Sequence, residues 1–191
     1  MSRINFSKIE LVSSNPKKIE EYVQYGLPLR VSQGMDLPEV AGTSLEVIIH
    51  KAILAGKNKL VEDVSLEIQG LDVGVNIRWL SEEIRKRPEL NGRKAQWITM
   101  LGLYYNEKIY ICKGIVEGTL DFSDQVESQF GFDSIFVPKG NKYTLHRLKE
   151  LGKKDLFSAR KKAIEALLSS NFYKVFPRKE IPKWTGKYQQ D

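Results

Sequence analysis

Three groups of residues in this chain have types and spacings that suit chemistry on phosphates and bases. The first is carboxylates. Glu39 closes Asp36-Leu37-Pro38-Glu39, ahead of an apolar helical pattern, and Glu62-Asp63 end the run Lys59-Leu60-Val61. Acidic residues on loops at strand ends can hold Mg²⁺ together with a substrate's phosphate oxygens. A further carboxylate can orient or deprotonate an attacking water. The second group is cations. Lys17 and Lys18 follow Pro16 in a first helical turn, where positive charge opposes the helix dipole, so an anion nearby would account for them. The third is Gln129-Phe130-Gly131-Phe132-Asp133, two aromatic faces and a carboxylate around a glycine that permits close backbone approach. A ring can stack on a nucleobase for roughly 1–3 kcal/mol, and Asp133 could accept from a ring N–H. Each group has a plainer alternative: solvated surface lysines, a surface Glu-Asp pair, and a core-facing Phe pair with Asp133 in a turn.

The elements that would position these residues follow from periodicity and punctuation. Ile9–Val12 reads as a strand, Ser13-Ser14-Asn15 as a polar turn, and Asn15-Pro16 as the N-cap and first position of a helix that Gly26 ends. Ile19, Tyr22 and Val23 fall at helical spacing. Strand, turn and helix in this order make an anion site at the strand's carboxyl end, with Ser13 and Asn15 beside it. Thr43 and Glu46 have capping-box spacing, and Leu45, Ile48, Ile49, Ala52 and Ile53 form an apolar stripe behind them. Lys59–Asp63 reads as a short strand, 77–86 as a charged helix, and 95–105 with 108–116 as an antiparallel hairpin turning at Asn106-Glu107. A strand over 134–137 and helices over 145–150 and 155–170 complete the pattern. The expected fold class is α/β: a mixed, elongated sheet flanked by helices, in two lobes with the active-site cleft between them.

Residues 1–170 are expected to form one domain of two lobes, and 171–191 a basic, aromatic tail. In that tail Lys174, Arg178, Lys179, Lys183 and Lys187 interleave with Phe172, Tyr173, Phe176, Trp184 and Tyr188. Such a pattern suits nucleic-acid binding by stacking and phosphate contact, against the favoured, plainer reading of aromatics packed back on the body. The 191 residues carry a formal net charge of +6, which favours polyanions without choosing among them. One cysteine, Cys112, excludes an internal disulfide and a thiolate-rich metal cage. No apolar run approaches the length of a membrane span, and the first residues have no apolar segment followed by a cleavage site. The expectation is therefore a cytoplasmic protein without a membrane partner.

The order SSNPKKIEE, LPEVAGTSLEVIIHKA, LVEDVSL, GVNIRWL, FGFDSIFVPKG and KKDLFSARKKA resembles the inosine triphosphate pyrophosphatase family from about Ile9 to Leu168. The specificity lies in six motifs in the right order, FGFDSIF being the sharpest. The resemblance implies hydrolysis of ITP, dITP and XTP to the monophosphate and pyrophosphate, in a Mg²⁺-dependent homodimer. It implies that Asn15, Lys18 and Lys51 hold the triphosphate, that Glu39 coordinates Mg²⁺, and that Asp63, with Glu62 beside it, serves metal binding and water activation. Phe130, Phe132 and Asp133 would stack on and read the base, and Lys154, Ser158 and Arg160 would lie near base and sugar. Departures cluster on the base side. Ser158-Ala159-Arg160 lacks a base-contacting histidine, Lys154-Asp155 stands for Lys-Asn, and His146 stands where glutamate is common. Val64-Ser65 replaces a small polar pair, and Val73 precedes Gly74 in place of proline. A catalytically weak or silent nucleotide-binding relative, or one with altered base specificity, is the alternative.

Overall fold

The computed structural model of the chain describes residues 4–32, 37–74, 82–123 and 132–189. Among them eight strands form one sheet: β1 (Glu10–Val12), β2 (Arg30–Ser32), β3 (Lys59–Ile68), β4 (Leu71–Gly74), β5 (Lys94–Tyr105), β6 (Lys108–Leu120), β7 (Phe136–Pro138) and β8 (Lys174–Pro177). Their order is β2-β1-β3-β5-β6-β7, with β4 added to β3 and β8 to β6. The sheet is mixed: β1 runs parallel to β2 and β3, whereas β4, β7 and β8 pair antiparallel. Helices among the described residues include α1 (Pro16–Gln24), α2 (Ser44–Ala55), α3 (Leu145–Glu150) and α4 (Ala159–Leu168). The mixed α/β class is as expected.

Local chemistry explains most boundaries. The Asn15 side chain accepts from the Lys17 and Lys18 amides at the start of α1, and Gly26 leaves the helix at φ 81°. Thr43 and Glu46 close a reciprocal capping box on α2. Asn106 and Glu107 both take positive φ, 47° and 56°, which a two-residue hairpin turn of right-handed twist requires. Helix α2 lies close against β5: a Cβ on Gly102 would meet the Ile48 carbonyl oxygen at 2.9 Å.

Two compact units make up the chain, one of Met1–Asp63, Met100–Lys113 and Lys161–Asp191, the other of Val64–Thr99 and Gly114–Arg160. In the first, Leu11, Tyr22, Leu60, Leu101, Leu103 and Ile164 belong to one apolar core; in the second, Leu66, Leu90, Phe132, Phe136 and Leu145 belong to another.

Several expectations are corrected. The α1 stripe is narrower than its spacing suggests, because Tyr22 is buried while Val23 is 55% exposed. Strand β3 does not stop at Asp63; it continues in extended backbone to Ile68, and Leu66 and Ile68 pair with β4. The last helix begins at Ala159, after a 3₁₀ turn over Lys154–Phe157. Of the charged helix over 77–86, residues 82–85 are helical and 77–81 lie outside the described residues. Past Ser170 the chain packs back on the body: Lys174–Pro177 pairs with Lys108–Ile111 as β8. Phe172 packs on Tyr110 at 4.8 Å between ring centroids, and Trp184 on His50 at 5.2 Å. This leaves Tyr173, with Lys113 and Lys174 ammonium groups 5.3 and 5.5 Å from its ring centre, as the exposed aromatic of that stretch.

Candidate functional site

In the first unit, adjacent residues of a strand point to opposite faces, and this alternation sorts the acidic pair. Glu62 turns toward α1: its carboxylate accepts from the Tyr22 hydroxyl at 3.1 Å and pairs with the Lys18 ammonium at 2.9 Å. Asp63 turns toward α2, where the Lys51 ammonium lies 3.6 Å from its Oδ1. The same ammonium donates to Oε1 of Glu39 at 2.6 Å, so Glu39 and Asp63 converge on one cation. Glu62 does not join them, although it was expected beside Asp63 as a metal ligand. A mid-strand position, rather than a strand end, separates the two. Among the described residues no group of three or more acidic, histidine or cysteine side chains is arranged around one metal position.

Burial sets the electrostatics here. Asp63 is pushed up to about 6, mainly because its carboxylate is desolvated; Lys51 and Lys18 pull it down, and Glu39 and Glu62 push it further up. Burial also works against the charge of Lys51, but Asp63 and Glu39 outweigh it and hold the ammonium above its ordinary value. The result is a desolvated carboxylate that ionises near neutral pH beside a permanently charged lysine. Ser13 and Asn15 stand at the mouth of α1, where the Ser13 hydroxyl accepts from the Asn15 amide at 3.2 Å. Cys112 takes no part in nucleophilic chemistry: it is buried, and burial pushes its thiol up to about 12.

In the second unit Asp133 is almost fully buried and takes the Lys154 ammonium on Oδ2 at 2.5 Å. Its carbonyl accepts from the His146 amide at 2.8 Å, and the Phe132 carbonyl accepts from the Ile135 and Phe136 amides, which winds the chain into a tight turn. Phe132 is a correction. It is fully buried in the core, with its ring in edge contact with Trp97 at 6.2 Å, so it anchors the Asp133 turn and offers no face for stacking. Phe130 lies outside the described residues. Ser158 ends the 3₁₀ turn that carries Lys154, and Arg160 lies in the first turn of α4. Ala159, where the resemblance leads one to expect histidine, is a core residue at 2% exposure.

Sequence reasoning missed Tyr22 and Trp97. Tyr22 sat in an apolar stripe, and nothing local announced that its hydroxyl reaches a carboxylate forty residues away. Trp97 lies within a strand that is largely apolar, which tells that it packs without telling what against.

The Ham1 family model matches residues 9–170. The dITP/XTP pyrophosphatase of Pyrococcus horikoshii is 27% identical over 176 residues, covering 83% of this chain and 94% of that protein. The inosine triphosphate pyrophosphatase of Yarrowia lipolytica is 32% identical over 178 residues, covering 83% and 93%. Among solved structures, a HAM1 protein from Coxiella burnetii superimposes with a TM-score of 0.70 at 24% identity, covering 85% of this chain and 98% of that one. The Staphylococcus aureus Ham1 protein gives 0.68 at 22%, covering 85% and 97%. The structural likeness carries the fold. The sequence match spans both units and the segments that bear Asn15, Glu39, Asp63 and Asp133, and on it the chain belongs to the Ham1 family.

Proposed function

We propose that this protein hydrolyses non-standard purine nucleoside triphosphates, ITP, dITP and XTP, to the monophosphate and pyrophosphate. The observation that carries the reading is the convergence of Glu39 and Asp63 on the Lys51 ammonium, in a chain whose relatives are pyrophosphatases of these nucleotides. Asp63 takes a proton from water as the water oxygen bonds to the α-phosphorus and the bond to the bridging α,β oxygen breaks. Pyrophosphate leaves with the bond's electron pair. Lys18 and Lys51 supply positive charge where that negative charge builds. Asn15 fixes the first turn of α1, so that Lys18 is presented at the helix mouth.

The donor set fits Mg²⁺. Two hard carboxylates already face one positive charge, and such an ion is held by one or two carboxylates together with phosphate oxygens. Glu39 would hold it, and the ion when bound supplies further charge against the triphosphate oxygens. Glu62 has a different task, keeping Lys18 and Tyr22 in place. Asp133, steadied by Lys154, accepts from the N1–H of a 6-oxopurine, which adenine lacks. Buried polar groups left unpaired by the wrong base can discriminate by about 10⁴-fold. A cytoplasmic homodimer completes the reading. Among the described residues no helix is long and apolar enough to cross a membrane.

The test is pyrophosphate release with Mg²⁺ from ITP, XTP, dITP, GTP, ATP and UTP. Rapid release from the first three with ATP nearly inert supports the reading in full. Equal release from all six keeps the reaction and removes the base selection. No release from any sinks the enzyme reading and leaves a silent nucleotide binder. Mass in solution tests the homodimer.

A further inference from the structure

Glu39 lies on a loop, yet a carboxylate that holds a metal must be kept within about 0.5 Å of its working position. What holds it comes from far along the chain. After β8 the chain is tied by the Arg178 amide, which donates to the Glu107 carbonyl at 2.8 Å. It then runs back to residues 39–41. The Ala41 amide donates to the Lys187 carbonyl at 2.9 Å, and the Gln189 amide donates to the Glu39 carbonyl at 2.8 Å. Between them Val40 and Tyr188 form an antiparallel bridge, and Nε2 of Gln189 donates to the Val40 carbonyl at 3.2 Å. Val40 is fully buried, so the residue after Glu39 is fixed as well.

Trp184 shapes this segment. Its indole N–H donates to the same Lys187 carbonyl at 2.9 Å, so one oxygen serves both the segment's own turn and the loop of Glu39. The ring closes over Gly186, where a Cβ would meet Cζ2 at 2.7 Å, and reaches Gly42, where a Cβ would meet Cη2 at 3.3 Å and Oε2 of Glu46 at 2.8 Å. Its other contact is His50, the α2 residue next to Lys51. The segment thus grips both the loop that bears Glu39 and the helix that bears its cationic partner. It lies outside residues 9–170, the part matched to the family.

We propose that Trp184–Gln189 is a positioning strap that holds Glu39 at the metal site, with Trp184 as the positioning residue that keeps the strap's shape. The inference rests on Glu39 being the carboxylate that binds the ion. Three forms of the chain test it beside the wild type: one ending at Pro182, Gly186→Val, and Trp184→Phe. In metal-free protein, exchange of the Ala41 amide with solvent should speed up about 100-fold in the shortened chain and in Gly186→Val. Mn²⁺ affinity, read by electron paramagnetic resonance without nucleotide, should fall about 10-fold in the same two forms, the usual cost of losing a group that orients a ligand. Trp184→Phe keeps the ring and loses the N–H, and should fall between them and the wild type in both readouts. An Ala41 amide that stays protected without the strap overturns the proposal, as does unchanged Mn²⁺ affinity with that amide opened. Gly186→Val decides the matter if the shortened chain does not fold. Failure of wild-type protein to release pyrophosphate from ITP would count against the proposed function alone, since neither readout here needs turnover.

Discussion

The Lys51 ammonium lies 3.6 Å from Oδ1 of Asp63, and the same nitrogen is the donor to Glu39. A lysine shared by two carboxylates does two things at once. It keeps a buried acid from being pushed even higher, and it marks the point at which an incoming cation or polyanion must compete. Because burial still dominates Asp63, its titration lies within reach of neutral pH.

The first prediction follows from that titration. In metal-free protein the Asp63 carboxyl, followed by its ¹³C resonance, should titrate near pH 6. Lys51→Met removes the largest influence pulling it down and should move the midpoint upward, whereas added Mg²⁺ should move it downward. A midpoint that ignores both changes would remove Lys51 and the metal from Asp63's surroundings.

Asp63→Asn separates activity from stability. Loss of a general base should lower kcat about 10²–10⁴-fold. Stability should move the other way. A folded pKa raised from 3.8 to about 6 means that the protonated form is favoured by the fold. That contribution is complete below pH ~4 and is lost as pH rises through 6, amounting to up to about 3 kcal/mol. The neutral Asn keeps it at all pH. At pH 8 the variant should therefore melt several degrees above wild type, and the gap should close toward pH 4. Melting curves at the two pH values check the sign.

Much of this was legible in the sequence where the determinant is local. Asn15 before Pro16, Thr43 with Glu46, and Asn106-Glu107 between two strand-like runs each act within four residues, and each forms as its chemistry suggests. The facing of Glu62 and Asp63 was not legible, because it depended on whether β3 ends at Asp63 or runs on. The apolar residues Val64, Leu66 and Ile68 are compatible with both until β4 supplies partners. Nor was β8 legible: Lys174–Pro177 has no clean alternation, and its pairing partner lies some sixty residues earlier. Phe132 shows the same limit, since a ring beside a glycine reads alike as a stacking face or as core until Trp97 is placed against it.

Glu62→Gln is the control that the strand alternation calls for. The isostere still accepts from Tyr22, and it loses only the charge opposite Lys18. Turnover should stay within about tenfold of wild type, far from the effect of replacing a general base. If steady-state rates show the two substitutions to be equally damaging, Glu62 belongs with Asp63 in the chemistry and its assigned task is wrong.

Tyr22→Phe probes the same contact from the other side. A buried carboxylate acceptor loses one of its donors while the ring keeps its packing, at a cost of about 1–3 kcal/mol. For a chain of this size that corresponds to a fall in Tm of roughly 2–4 °C for each kcal/mol. Calorimetry at pH 7 reads it. A neutral outcome would mean that Glu62 is satisfied without the Tyr22 hydroxyl.

Asp133→Asn tests how the base is read. A carboxylate can only accept, so it suits the N1–H of inosine and xanthosine and is mismatched to the bare N1 of adenine. Its pairing with Lys154 fixes its direction. The amide can instead donate, and a charge-assisted hydrogen bond worth about 1.5–3 kcal/mol is lost. The kcat/KM for ITP should therefore fall about 10–150-fold, while that for ATP holds or rises, so the ITP/ATP ratio narrows. Ala159 is a core residue where a histidine side chain would be expected, so no imidazole at that position can take over the contact once Asp133 is changed. Equal losses for both nucleotides would assign Asp133 to the structure of its turn, where its carbonyl already serves His146.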